Sequence, residues 1–278
     1  MPPAPDTLAI FASDLFRGQT ALVTGGGRGI GKAIALAFAR LGANVVIASR
    51  KPENLNPTAE QIRAGGVACL AVPTNIREID QVDALVQQTL ERFGAIDFLV
   101  NNAGGQFPAR PQDITDRGWR AVIDLNLNGT WNMCSRVGAH MLKRGAGAVV
   151  NIVHIYSFDR GAAAFAHSGA ARAGVVNLTR SLAYYWARQG VTINALAPGT
   201  VSTRGVREEE FSRAEQSDYE ALVVQDIPAH RLAAPDEIAA IVLFLCSPAA
   251  RYINGATIVA DGALSLSKWT DMWDPEGK

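Results

Sequence analysis

Thr24-Gly-Gly-Gly-Arg-Gly-Ile-Gly31 is the stretch that decides the fold. It follows the β-branched run Ala21-Leu-Val-Thr24 and opens an amphipathic run from Gly29 to Leu41, so the glycines stand between a strand and a helix. A helix start presents free amides and the positive end of its dipole, which together attract a phosphate. Gly25 permits the tight turn, Gly29 lets a pyrophosphate approach the backbone, and Gly31 lets helix and sheet pack closely. The bland alternative is a glycine-rich turn with no ligand.

Further apolar runs at Asn44–Ala48, Ala68–Val72, Ile96–Val100, Ala148–Val153, Thr192–Leu196 and Ala256–Val259 predict six more strands. Their near-continuous hydrophobicity suits a parallel sheet covered on both faces. Helices are expected at Gly29–Leu41, Ile79–Phe93, Thr115–Arg144 with a break near Gly129, Gly169–Gln189 and Asp236–Cys246. The alternation predicts a Rossmann-type α/β fold: one doubly wound, seven-stranded parallel sheet in three αβα layers, with the ligand crevice at the C-terminal strand edge. That domain spans 18–264. Residues 1–17 form an N-terminal arm, about 200–232 a charged substrate lid, and 265–278 a tail.

Basic and acidic residues number 26 each in 278, which argues against nucleic acid and membrane surfaces as partners and leaves small molecules. No apolar run reaches the ~18 residues of a membrane span. Cys69, Cys134 and Cys246 lack metal-ligand spacing, so no metal is expected, and the odd count suits reduced thiols in the cytoplasm. The N-terminus carries no secretion signal and Pro275–Lys278 no peroxisomal address, which points the same way.

The second strand runs into Ser49-Arg50-Lys51, where an enzyme selective for NAD would place an acid against the adenosine ribose hydroxyls. With the acid missing, Arg50 offers a fork to a ribose 2′-phosphate, aided by Arg28 and Lys51. The expected cofactor is NADP(H). Solvated surface cations are the alternative.

The spacing Thr24-Gly25-x-x-x-Gly29-x-Gly31 resembles the fingerprint of the short-chain dehydrogenase/reductase family. Asn101-Asn-Ala-Gly104, Asn126 in Leu125-Asn-Leu-Asn-Gly-Thr130, and Pro198-Gly-Thr-Val-Ser-Thr203 resemble it too, in the same order, so that the likeness covers about Gly18 to Leu264. It implies Asn75 against the adenine, Asn102, Ala103 and Gly104 under the adenosine ribose, Val201 at the carboxamide and Thr203 at the pyrophosphate. Ile30, Ile76, Pro198 and Gly199 complete the expected cofactor set.

The family's usual catalytic set, a Ser followed by Tyr-x-x-x-Lys, is absent. His167-Ser-Gly-Ala-Ala-Arg-Ala-Gly174 aligns with Tyr-x-x-x-Lys-Ala-Gly, so Ser168 stands at the Tyr position, Arg172 at the Lys position, and His154 at the Ser position. Tyr184 and Tyr185 lie turns beyond Arg172, Tyr219 falls in the lid and Tyr252 near the last strand, which leaves Tyr156 at the C-terminal end of the fifth strand. Tyr156 followed twelve residues later by Ser168, with a cation at 172, resembles 2,4-dienoyl-CoA reductases, where the spacing is one residue shorter and the cation is Lys. His167 to Val175 and Asn101-Asn-Ala-Gly-Gly-Gln-Phe107 resemble peroxisomal trans-2-enoyl-CoA reductases.

Those resemblances imply NADPH-dependent reduction of the conjugated double bond of an enoyl-CoA or dienoyl-CoA thioester. Negative charge then develops on the thioester oxygen, which calls for hydrogen-bond donors there. Tyr156 is the first expected donor and Ser168 the second, with Arg172 holding ribose hydroxyls and favouring negative charge, and Asn126 ordering a water. Each has a plainer alternative: Tyr156 as a rim aromatic, Ser168 as a helix cap, His154 as a hydrogen-bonded strand-end residue, Asn126 as a satisfier of backbone groups. A carbonyl or 3-oxoacyl reductase, and a non-catalytic NADPH-binding protein, stay open as other functions. The family likeness also implies a homotetramer or homodimer.

Overall fold

The computed structural model describes residues 6–158, 161–203 and 223–266. Seven strands form one parallel sheet in the order β3-β2-β1-β4-β5-β6-β7. They are β1 (Thr20–Thr24), β2 (Asn44–Ser49), β3 (Cys69–Pro73), β4 (Phe98–Asn101), β5 (Gly147–Ile152), β6 (Val191–Pro198) and β7 (Thr257–Ala260). Each expected strand is present within two residues of its expected bounds.

The order reverses between β1 and β4, and a doubly wound sheet opens its crevice beyond the strand ends at such a point. The glycine turn after β1 and Asn102–Gly104 after β4 meet there. Thr24 Oγ1 ties them, accepting from the Asn102 and Ala103 amides at 3.0 Å each and donating to the Val100 carbonyl at 3.3 Å.

The helices are α1 (Gly29–Arg40), α2 (Pro52–Ala64), α3 (Ile79–Phe93), α4 (Asp116–Ile123), α5 (Gly129–Arg144), α6 (Ala166–Trp186) and α7 (Pro235–Cys246). Between α4 and α5 the backbone widens into a π-turn over Asp124–Asn128, which is the break expected near Gly129. α2 was not expected. Pro57 stands inside it and removes one helical donor, yet Leu55, Thr58, Ala59 and Ile62 bury one face at helical spacing, and that burial outweighs the lost bond. α6 begins at Ala166 rather than Gly169, one turn earlier than expected, and this brings His167 and Ser168 inside the helix.

Two apolar layers sandwich the sheet. One joins Phe16, Phe38 and Phe98 to α1 and α7; the other joins Leu22, Leu85, Leu99, Met133 and Trp186 beneath α3 and α5. A buried polar chain also crosses the second half: Asn101 Nδ2 donates to Asn151 Oδ1 at 2.8 Å, and Asn151 Nδ2 donates to Thr179 Oγ1 at 2.9 Å, linking β4, β5 and α6.

Of the N-terminal arm, residues 6–17 are described, with Leu8 and Phe16 buried in the core and Arg40 paired to Asp6. The expected lid is described only at its flanks, where Val201 pairs with Ala233 in an isolated parallel bridge. Residues 204–222 and the tail from 267 lie outside the described residues. None of the described helices is long and apolar enough to cross a membrane, and no metal-ligating cluster occurs among the described residues.

Candidate active site

The crevice holds two adjoining cavities. The first, about 400 Å³, lies over the glycine turn and the ends of β2 and β3. Gly25, Arg28, Ser49, Arg50, Lys51, Asn75, Ile76, Asn102, Ala103 and Gly104 line it. Asn54 and Thr74 join them, and among the described residues no carboxylate does. Three cations around a cavity without an acid suit a phosphate-bearing ligand. Gly31 does not line it. A Cβ there would strike the Gly25 carbonyl and the Asn102 carboxamide, so this glycine lets the turn close on the β4 loop. Gly29 adopts φ +50 and faces Thr203.

The turn, the cationic lining and the helix start thus fit a nicotinamide dinucleotide. Thr24 supports this floor from behind through the bonds given above. Asn75 lines the cavity while its side chain is engaged, Nδ2 donating to Glu78 at 3.3 Å and Oδ1 accepting from Arg77 Nε at 3.1 Å.

The second cavity, about 200 Å³, is walled by Ile30, Pro198, Gly199, Val201 and Thr203 together with His154, Tyr156, Gln106 and Phe165. Tyr156 sits on a single 3₁₀ turn, Ile155–Ser157, directly after β5. It is half-buried, and its ring meets His154 edge-on at 5.6 Å. Of the other tyrosines, Tyr184, Tyr185 and Tyr252 stand out in solvent, and Tyr219 lies outside the described residues.

Ser168 departs from its expected place. It does not line the second cavity and is 1% exposed, because the early start of α6 carries it beneath the site. Its Oγ lies 3.1 Å from His154 Nε2. It is no helix cap either, since Phe165 holds the N-cap position and makes no side-chain cap bond. His154 itself is pinned at both nitrogens, with Nδ1 accepting from the Tyr156 amide at 3.2 Å. Burial, and then the positive charge of Arg172, pull its pKa down to about 4, so the ring is neutral near pH 7.

Arg172 is buried behind the site. One guanidinium nitrogen donates to the Ile152 carbonyl, and the other lies against Gly104, where any Cβ would collide with it. Burial alone lowers its pKa to about 10. No carboxylate pairs with it among the described residues, so it brings an uncompensated positive charge into a low-dielectric site.

Asn126 is buried in the π-turn. It clasps Gly105 at both backbone groups, donating to the carbonyl at 2.8 Å and accepting from the amide at 3.2 Å, and donates again to Val122 at 2.9 Å. Its carboxamide therefore holds the Gly104–Gln106 loop in place. Gln106 lies in the loop that carried the resemblance to enoyl-CoA reductases, whereas Phe165 as a wall had no signal in the sequence, because only the packing of the β4 loop near the start of α6 brings it to the cavity; Ala109 N–H donates to the Ala164 carbonyl at 3.0 Å across that seam.

Residues 25–265 match the protein family described as enoyl-(acyl carrier protein) reductase. A Bacillus subtilis (strain 168) protein named "Probable 2,4-dienoyl-CoA reductase, (2E)-enoyl-CoA-producing" is 37% identical over 90% of this chain and 98% of its own. A 3-oxoacyl-(acyl-carrier-protein) reductase of Synechocystis is 38% identical over 89% and 97%. Among solved structures, a short chain dehydrogenase from Bacillus anthracis superposes with TM-score 0.81 at 35% identity, covering 91% of this chain and 98% of that one. With the glycine turn, the sheet order and these matches in agreement, the chain belongs to the short-chain dehydrogenase/reductase family, whose members are oxidoreductases that bind a nicotinamide dinucleotide.

Proposed function

We propose that this protein uses NADPH to reduce the conjugated double bond of an enoyl-CoA or dienoyl-CoA thioester. The observations that carry the reading are Tyr156 on the wall of the second cavity and a buried Arg172, without a carboxylate partner among the described residues, whose charge reaches His154 on that same wall. An uncompensated buried cation is costly to keep. It becomes useful where negative charge develops during reaction, as on the oxygen of a thioester enolate.

When bound, NADPH would supply the hydride, to the β-carbon of an enoyl thioester or the δ-carbon of a dienoyl thioester, and a water then protonates the resulting enolate on carbon. Arg28, Arg50 and Lys51 would hold its 2′-phosphate, the glycine turn its pyrophosphate, and Ile30, Pro198, Gly199, Val201 and Thr203 its nicotinamide end. The Tyr156 hydroxyl donates to the thioester oxygen. Arg172 stabilises the resulting anion without giving up a proton, and Asn126 keeps the Gly104–Gln106 wall in register. Ser168 acts through His154 and not on substrate.

The likeness to a 2,4-dienoyl-CoA reductase supports this choice; the likeness to a 3-oxoacyl reductase favours the rival, reduction of a ketone. NADPH consumption with crotonyl-CoA, 2,4-hexadienoyl-CoA and acetoacetyl-CoA separates them. Turnover of either of the first two is expected, and turnover of acetoacetyl-CoA alone would overturn the proposal. Tight NADPH binding without turnover on any thioester or ketone would instead mark a non-catalytic protein.

Trp131 on α5 and Tyr184 and Tyr185 on α6 are exposed, which supports assembly into a homodimer or homotetramer. Burial raises the pKa of the Cys69 thiol to about 11 and of Cys134 to about 12, and such inert thiols are compatible with the proposed cytoplasmic location.

A further inference from the structure

His154 stands where three pieces of the site meet. Its backbone leaves β5, its Nδ1 faces the 3₁₀ turn that carries Tyr156, and its Nε2 faces Ser168 in the first turn of α6. The hydrogen-bond pattern decides where its proton is. The Tyr156 amide can only donate, so the nitrogen it meets at 3.2 Å must present a lone pair. Ser157 Oγ lies 3.4 Å from the same Nδ1. A neutral ring then carries its hydrogen on Nε2, which donates to Ser168 Oγ at 3.1 Å.

We infer that His154 is a positioning residue which, as a neutral imidazole protonated on Nε2, clamps the Tyr156 turn to α6 through Ser168. The clamp sets the angle at which the phenol enters the second cavity. Its kinetic consequence rests on the proposed role of Tyr156, whereas the protonation state does not.

Protonating the ring would break the clamp. A second N–H would face the Tyr156 amide, and a second cation would join Arg172. Among the described residues, the charged or titratable groups that act on the ring are the Arg172 guanidinium from α6 and the Tyr156 phenol from its own turn; no carboxylate favours the imidazolium. The bond between His154 and Ser168 also explains a serine that is buried in the site without lining it.

The test uses the full chain and two readouts. Two-bond ¹H–¹⁵N correlation spectra of the imidazoles, with His154→Asn to identify its signals among the four histidines, should show the neutral Nε2–H form from about pH 8 down to about pH 5. The Nδ1–H form, or a titration near the ordinary histidine value, would overturn the inference.

His154→Asn keeps an acceptor for the Tyr156 amide and deletes the donor to Ser168. It should therefore match Ser168→Ala, each lowering kcat on the order of 10-fold while KM for the thioester and Kd for NADPH hold within about twofold. The double variant should be no worse than either single. Losses that multiply in the double variant, or that appear equally in KM, would count against a clamp. NADPH binding reports whether each variant is folded. Should no thioester turn over while the Nε2–H signal persists, the reductase reading fails and the tautomer lock stands.

Discussion

The crevice has two ends built on opposite principles. At the β1–β4 end the floor under the ligand is a glycine turn, a helix start and the Asn102–Gly104 loop, held together by Thr24 and flanked by the cations Arg28, Arg50 and Lys51. At the β5–α6 end it is side chain: Tyr156 and His154 on the cavity wall, Ser168 and Arg172 beneath. Backbone surfaces demand glycine at fixed spacing and so leave a pattern along the chain. Side-chain surfaces can be assembled from other residues in other places, as this chain does in lacking Tyr-x-x-x-Lys.

Substitutions at the two ends should fail differently, which makes the contrast testable. Arg172→Met removes the buried cation and should lower kcat on the order of 10³-fold or more, with NADPH affinity less affected. A loss below about tenfold would show that the charge is not used in the chemistry. Tyr156→Phe should cost on the order of 10²–10³ in kcat and leave NADPH binding intact, as read by fluorescence titration. Retention of more than about a tenth of the activity would remove the phenol from the mechanism.

At the other end the effect moves to binding. Arg50→Asp should weaken NADPH by roughly 10- to 100-fold and spare NADH. Equal losses for both nucleotides would contradict the assignment of the 2′-phosphate to this cation. The smallest effect is on stability. The folded pKa of His154, about 4, lies below its ordinary 6.5, so above 6.5 folded and unfolded chains are both neutral there and its contribution is whole. As pH falls from 6.5 towards 4, the unfolded chain takes a proton that the folded chain refuses, and stability is lost. Thermal melts across that window should fall less steeply for His154→Asn than for the parent chain.

The same contrast explains what could be read from the sequence. The seven strands, the crevice edge and the cationic cofactor lining follow from apolar runs and from Arg28, Arg50 and Lys51. The helix Pro52–Ala64 was hidden because Pro57 is a strong local signal against helix, whereas the burial of Leu55, Ala59 and Ile62 that overrides it exists only in the fold. Tyr156 was reached by elimination among the tyrosines. The contact of His154 with Ser168 could not be reached, since fourteen residues separate them and the register of α6, which starts a turn early, sets their distance. Asn126 was singled out by family likeness, whereas its two hydrogen bonds to Gly105 became visible only in the fold.

Gly104 touches both ends at once, with one face under the cofactor cavity and the other against the Arg172 guanidinium. A methyl group added there would push on that cation, so the two positions cannot drift independently in descendants of this chain. A lineage that acquired a side chain at 104 would first need a shorter or relocated cation at 172, and the order of those two steps would be imposed by steric exclusion alone.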